Sequence, residues 1–254
     1  MMEINEQRFK IIDSTNSEAQ RQLASGEAPK EDFVIRAEFQ TEGRGQRGHV
    51  WTSQHSENLT FSYVYFPEKL EVQNQFRLSQ TASLAVAEFL KANGIENVYI
   101  KWPNDVYVGM KKICGMLIEN SLSGHYIKSS ILGIGINVNQ CIFPENIPNP
   151  VSMTNITGKL YNLDEKFYQI TSILKAGLDN LKKENFPALK ANYMSYLLGL
   201  NRTLIYSAKG RIFKGIIKDV DDKGFITVAD EVTGRVDIYD FNQINLIIPE
   251  QKRN

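Results

Sequence analysis

Cysteine is scarce in this 254-residue chain: Cys114 and Cys141 are the two it has. Both are expected in apolar surroundings, and such a pair builds neither a disulfide framework nor a metal cluster. Charge of one sign does not prevail either. Lys plus Arg total 29 and Asp plus Glu total 29, which removes any global electrostatic case for nucleic acid or a membrane. Local patches must carry any anion recognition. Long apolar runs are missing, so no stretch is long enough to span a bilayer, and the opening MMEINEQRFKIID lacks the apolar core of a signal peptide. A cytoplasmic location is the expectation. His49, His55 and His125 show no metal-ligand spacing and read as surface residues. No Ser/His/Asp order and no covalent nucleophile stand out, so any chemistry depends on positioning and electrostatics.

With 42% hydrophobic and 23% charged residues, the chain has the makeup of a soluble globular protein with a substantial core. Thr15 with Glu18 three residues on has the form of a capping box, so a helix is expected from the segment 14–18 through AQRQLA. FVIRAEFQ (33–40) and NLTFSYVYF (58–66) are rich in β-formers and flank a glycine loop. Phe76, Leu78, Ala82, Ala85, Val86, Phe89 and Leu90 recur with helical period, and Asn93-Gly94 supplies the stop. VYIKW (98–102), DVYV (105–108), ICGMLIE (113–119) and HYIKSSILGIGINVN (125–139) read as successive strands, with Gly109 and Lys111-Lys112 at a hairpin end. Residues 143–158 are loop-like, and two amphipathic helices follow. From Asn201 onward, short β runs separated by DDKG and DEVTG turns suit a small barrel. The expected fold is α+β: a mostly antiparallel sheet with helices over residues 1–199, then an all-β unit over 200–254. Strands that follow one another, instead of alternating with helices, argue against a Rossmann sheet.

Three motifs carry candidate chemistry. GRGQRGHVW (43–51) has G-x-G-x-x-G spacing, but a dinucleotide fingerprint needs a helix directly after the third glycine, and none is indicated here. What remains is a glycine loop whose backbone can approach an anion, with Arg44 and Arg47 adding charge. A solvated surface loop fits that stretch equally well. In KWPND, Lys101 stands at the end of a β run before a Trp-Pro turn, where its ammonium can meet a ligand. Asn104 and Asp105 could add polar or metal-binding oxygens, although the motif alone reads better as an ordinary strand-end turn. GIGINVN (133–139) sets two glycines before Asn137 in a strand, as close approach of a ligand requires, or as a bulge would. Gly115 is a similar glycine.

Taken together, Ser14-Thr15-Asn16, Gln40-Thr41, GRGQRGHVW, KWPNDVYV, KICGMLIE and GIGINVN stand in the order and spacing of the biotin protein ligases, and the tail from Gly210 resembles the small SH3-like barrel of that family. The chain thus resembles a biotin ligase over nearly its whole length. With about a dozen residues before Ser14, it looks like the monofunctional type that lacks a DNA-binding winged helix.

The resemblance implies a catalytic fold like that of class II aminoacyl-tRNA synthetases, with ATP and Mg²⁺ as cofactors and biotin as substrate. The ion would be held mainly by the ATP phosphates. The acceptor would be the biotin carboxyl carrier protein domain of acetyl-CoA carboxylase or a related carboxylase. A monomer or weak homodimer is implied, with no DNA and no membrane as partner. By resemblance, Lys101 and Arg44 would be catalytic, and Ser14, Thr15, Asn16, Gln40, Arg44, Gly45, Gln46, Lys101 and Gly115 would bind biotin. Gly43, Arg44, Arg47, Trp51, Asn104 and Asn137 would bind ATP and the adenylate. The loop 43–51 is expected to order as it folds over biotinyl-AMP. Gln46 and His49 stand where many members carry Arg, which leaves one phosphate contact weaker or replaced.

Overall fold

The computed structural model describes residues 4–183 and 185–249, the side chain of Arg47 excepted. Among them, seven strands make one sheet: β1 (Asn5–Ile12), β2 (Phe33–Gln40), β3 (Leu59–Tyr65), β4 (Val98–Lys101), β5 (Asp105–Val108), β6 (Lys111–Ser123) and β7 (Tyr126–Ile136). Their spatial order is β1-β2-β3-β7-β6-β5-β4. β1 and β2 run parallel and every other neighbouring pair is antiparallel. The fold is therefore α+β with a mostly antiparallel sheet, as the run of consecutive strands predicts.

β1 is an addition to the expected elements. Its sequence, NEQRFKII, is polar and half-exposed because it lies at the sheet edge, so no apolar alternation announces it. Two local expectations also need correction. The helix α1 (Thr15–Ser25) is capped by Ser14, whose side chain accepts from the Ser17 N–H; the Thr15–Glu18 capping box does not form. Thr15 is instead the first helical residue, and Glu18 pairs with Arg21. Cys114 is buried as expected, but Cys141 is exposed.

Period-two alternation gives the sheet two different faces. On one face α2 (Phe76–Ala92) and α4 (Leu163–Leu181) pack over Leu59, Phe61, Tyr63, Leu132, Ile134 and Ile136 in the largest apolar cluster. The helical repeat Leu78, Ala82, Ala85, Val86, Phe89, Leu90 is buried there in full. On the other face α1 covers the β2 end through Ala19, Phe33, Ile35, Val64 and Ile131. The rest of that face is left for a cavity.

Two shorter helices, α3 (Met153–Thr157) and α5 (Phe186–Tyr196), lead to the tail. There β8 (Thr203–Ala208), β9 (Arg211–Val220), β10 (Ile226–Asp230), β11 (Val236–Tyr239) and β12 (Ile244–Leu246) form a five-stranded sheet in the order β11-β10-β9-β8-β12. The sheet is open: β11 and β12 are its edges. Its apolar residues share one cluster with Phe76, Ile100, Trp102 and Tyr193, so the tail is packed onto the main body. No helix among the described residues is long and apolar enough to cross a membrane.

Candidate active site

Strand register lines up one row across the cavity face: Lys101 on β4, Asp105 on β5, Gly115 on β6, Gly135 on β7 and Thr60 on β3 are successive partners. The middle of this row carries no side chains. A floor without β-carbons results, with charge at the β4 end. The next glycine, Gly133, opposes Leu117. The space above holds a cavity of about 560 Å³, lined by this floor, the start of α1, the loop 43–51 and the inner side of the tail.

The α1 end of the cavity is polar and tightly knit. The Thr15 N–H and hydroxyl both donate to Gln40 Oε1, at 2.8 and 3.1 Å. Ser62 Oγ lies 2.6 Å from Asn16 Oδ1 and 2.7 Å from Thr15 Oγ1. The Asn16 amide donates to Glu119 at 2.8 Å and to the Leu117 carbonyl at 3.3 Å. Asn16 stands on Gly133, where a Cβ would come within 2.1 Å of its Oδ1. Ser14, Thr15 and Asn16 are all buried, so α1 presents its first residues inward at a helix N-terminus.

The loop 43–51 is a closed hairpin. Arg44 and Val50 make an antiparallel bridge, and Gly45 N–H donates to the His49 carbonyl at 2.7 Å. The three glycines serve different needs. A Cβ on Gly43 would lie 2.2 Å from the Trp51 carbonyl oxygen, while Gly48 has φ +76°, in the left-handed region. No helix follows, so the dinucleotide reading is excluded on geometry as well as on sequence. Arg44 reaches across to β6, where Glu119 Oε1 holds its guanidinium at 2.8 Å. Gln46 and His49 line the cavity, and the expected role of the Arg47 side chain lies outside the described residues.

Trp51 closes the loop onto the floor. A Cβ on Gly135 would come within 2.3–2.6 Å of three indole atoms, and one on Gly115 within 3.1 Å of Cζ3. The close approach expected at these glycines is thus made here by the Trp51 ring. Its Nε1 is buried without a hydrogen-bond partner.

At the β4 end, Asp105 sits between two ammonium groups. Lys112 Nζ lies 2.7 Å from Oδ1 and Lys101 Nζ 3.9 Å from Oδ2. Asn104 donates to the Met116 carbonyl at 2.6 Å and pins the KWPND turn to β6. Trp102 Nε1 donates to the Gly224 carbonyl at 2.9 Å, and its ring packs at a tilt against Phe241 with centroids 5.3 Å apart, which fixes the same turn to the tail. Asn137 lies at the far end of β7, buried, with its amide donating to Val151 at 3.1 Å. Burial pushes the Tyr107 phenol up, with the Asp105 charge adding to the effect, so that ring stays neutral beside Lys101. The Cys114 thiol is pushed up in the same way, mainly by burial, and is no nucleophile.

Every expected site residue whose side chain is described lies at this cavity or in the loop that closes it. Lys112, Glu119, Thr60 and Ser62 also stand at the site, outside the set that the resemblance implies. Lys112 and Glu119 are the first and last residues of KICGMLIE, but a lysine after a hairpin turn and a glutamate along a strand do not by themselves mark a ligand. Only the strand register brings them to the same face.

Residues 8–137 match the family model described as the biotin/lipoate A/B protein ligase family, slightly more than half of the chain. The chain belongs to that family. A biotin–[acetyl-CoA-carboxylase] ligase of Mycobacterium tuberculosis is 30% identical over 87% of this chain and 81% of its own length. The bifunctional ligase/repressor BirA of Bacillus spizizenii is 29% identical over 87% of this chain and 68% of its own. Among solved structures, a biotin protein ligase from Aquifex aeolicus in complex with biotin and ATP has a TM-score of 0.80 at 28% identity, covering 96% of this chain and 99% of that one.

Proposed function

We propose that this chain activates biotin with ATP to biotinyl-5′-AMP and transfers the biotin to a lysine of a biotin carboxyl carrier protein domain, in acetyl-CoA carboxylase or a related carboxylase. One observation carries the reading: a polar helix start, a β-carbon-free floor and a lysine–aspartate cluster share one cavity in a fold of this family. Its setting is the cytoplasm.

Ser14, Thr15, Asn16 and Gln40 form the polar end that suits the ureido ring of biotin. A neutral ring with donors and acceptors needs matched partners, and the Thr15–Gln40–Ser62–Asn16 network holds those side chains in place. Gly115 gives the ring system room to lie close to the sheet. The carboxylate then points toward Arg44, Gly45, Gln46 and Lys101. Biotin carboxylate must approach a polyphosphate of the same sign, and the cations Lys101 and Arg44 offset that repulsion as charge builds in the transition state. Glu119 holds the Arg44 guanidinium at 2.8 Å and so fastens the 43–51 loop to β6 over the cavity.

Gly43, Arg44, Arg47, Trp51, Asn104 and Asn137 make the nucleotide side. The buried, unpartnered Trp51 N–H supports its assignment there, since a ligand acceptor would satisfy it. Mg²⁺, carried by the ATP phosphates, would offset phosphate charge. Among the described residues, no three His, Cys, Asp or Glu groups gather to hold a metal, so no step is assigned to a protein-held ion. The tail, described from residue 200 to 249, is read as a small, partly open SH3-like barrel that braces the KWPND turn, supported by the five short antiparallel strands and the Trp102–Gly224 bond.

The test is pyrophosphate release on adding ATP with biotin or with lipoate, followed by mass measurement of a carrier domain. Biotin-dependent release and a biotin mass increment on one lysine are expected. Release with lipoate alone would move the chain to the other branch of the family, and biotin binding without release would make it a sensor.

A further inference from the structure

We propose that Ser62 is a positioning residue for biotin recognition, which fixes the direction of the Thr15 hydroxyl. That oxygen then meets the ligand only as an acceptor, and the pocket selects a ring that offers an N–H. The proposal deepens the function argued above and rests on it. Ser62 lies on β3, where alternation sends Leu59, Phe61 and Tyr63 to the helix-covered face and leaves Thr60 and Ser62 on the cavity face. The two hydroxyls differ in what they bind. Thr60 donates to the Ala37 carbonyl of the neighbouring strand at 2.8 Å. Ser62 is fully buried against the start of α1, in contact with both Asn16 and Thr15.

Groups with a single hydrogen-bonding role fix the protons of this network. The Leu117 carbonyl and the Glu119 carboxylate can only accept, so the Asn16 amide turns its Nδ2 toward them, at 3.3 and 2.8 Å. Its Oδ1 therefore faces Ser62, 2.6 Å away, and Ser62 must be the donor there. A hydroxyl has one proton, so Ser62 has none left for Thr15. The 2.7 Å contact between the two hydroxyl oxygens then needs the proton of Thr15. That proton is shared between Ser62 Oγ and Gln40 Oε1, which lies 3.1 Å away and already takes the Thr15 N–H. Both partners belong to the protein. Turning the Asn16 amide over would set its oxygen against the Glu119 carboxylate, so the chain has one direction.

Directed bonds thus run from Thr15 to Ser62 to Asn16 and end on the Glu119 carboxylate, each strengthening the next. With its proton drawn inward, Thr15 presents lone pairs to the cavity that it lines. A urea ring brings an N–H to such an oxygen and gains a hydrogen bond. A ring oxygen in the same place has no proton, so lone pairs meet lone pairs and two acceptors are desolvated without a bond. The pocket's preference for a donor is therefore set one residue behind the contact.

The experiment measures, by calorimetry without ATP, the binding of biotin and of the cyclic carbamates in which one or the other ureido N–H is replaced by oxygen. The proteins are the wild-type chain, Ser62→Ala and Ser62→Cys. Wild type is expected to bind one of the carbamates about 100-fold more weakly than biotin, the scale of an acceptor left buried without its donor. In Ser62→Ala the Thr15 proton is held only by Gln40, at 3.1 Å, and can turn toward the ligand. The gap should then shrink to about tenfold, as part of that penalty is relieved. Ser62→Cys, with a weaker hydrogen-bonding group, should fall between, and it keeps the test available if Ser62→Ala leaves Asn16 Oδ1 unpaired and does not fold. A merely structural role for Ser62 would weaken biotin and carbamate together and leave the gap unchanged. An unchanged gap in the folded variants therefore overturns the proposal, as does wild-type binding of both carbamates as tightly as biotin. A wild-type chain that binds no biotin overturns the function itself, and the Ser62 assignment falls with it.

Discussion

The two faces of the seven-stranded sheet are built from alternate residues of the same strands, yet they do opposite work. Beneath α2 and α4, β7 contributes Leu132, Ile134 and Ile136, all buried. One residue out of step, the same strand contributes Gly133 and Gly135, which have no side chain to bury. The first face is filled with apolar volume and gains stability from it. The second gives up volume, which leaves room for ligand-sized chemistry and for Trp51. Stability and function in this chain are thus separated by residue parity, and substitutions should sort accordingly.

The largest expected effect is on the filled face. Phe89 is fully buried in the main cluster, so Phe89→Ala should cost about 3–5 kcal/mol of stability. Chemical denaturation would measure it, and adenylation per folded molecule should hardly move. A variant that stayed stable but lost activity would break the division between faces. On the open face the pattern reverses. Lys101→Ala should slow adenylate formation about 100- to 1000-fold, with little change in melting temperature, because a strand-end lysine at the cavity adds little to the core. Near-normal single-turnover adenylation would remove Lys101 from the mechanism.

A third substitution tests the floor itself. Gly135→Ala places a methyl group 2.3–2.6 Å from three atoms of the Trp51 indole, so the ring must move. Displacement by about an ångström should cost roughly tenfold in adenylation, and the Trp51 fluorescence should change with it. Gly115→Ala is expected to be milder, since its nearest contact is 3.1 Å. Equal effects at both positions would mean that Trp51 is not the limiting contact.

Much of this division was legible in advance. The strands Phe33–Gln40 and Asp105–Val108 fall where β-formers run between turn residues, and α2 follows its apolar repeat. The order of motifs also pointed to the family, because each needs a residue type that packing alone does not demand. β1 was not legible, since an exposed edge strand needs no apolar pattern. Neither was the Ser14 cap: Ser14 and Thr15 both have capping chemistry, and the choice is made by Gln40, which takes the Thr15 hydroxyl. The face that Lys112 takes was hidden for a further reason. It depends on a bulge, and a bulge is a property of two strands together.

A smaller effect is expected at Glu119, which holds Arg44 at 2.8 Å and Asn16 at 2.8 Å. Removing its charge in Glu119→Gln should loosen the 43–51 loop, with adenylate dissociating about fivefold faster, a change of roughly 1 kcal/mol. The opposite outcome, slower dissociation, would show that Glu119 competes with the adenylate for Arg44 in the bound state, and would recast the ion pair as an obstacle.

The smallest effect belongs to Asp13, just before the helix that opens the cavity. Arg21 donates to both its oxygens, at 2.7 and 2.8 Å, and Ser14 N–H donates to Oδ1 at 2.7 Å. These bonds, the one from Arg21 foremost, hold its carboxyl at about 2, below the ordinary 3.8. A depressed carboxylate contributes stability that is fully present above the unfolded value and is lost as pH falls through the folded one. The window is therefore about pH 4 down to about pH 2. Arg21 is half-exposed, so screening limits the pair to less than about 1 kcal/mol. Asp13→Asn should flatten the acid side of the stability profile by that amount and leave neutral-pH adenylation intact. A large loss of adenylation in this variant would mean that the start of α1 is positioned by this surface pair, and that the cavity face depends on stability more than its glycine floor suggests.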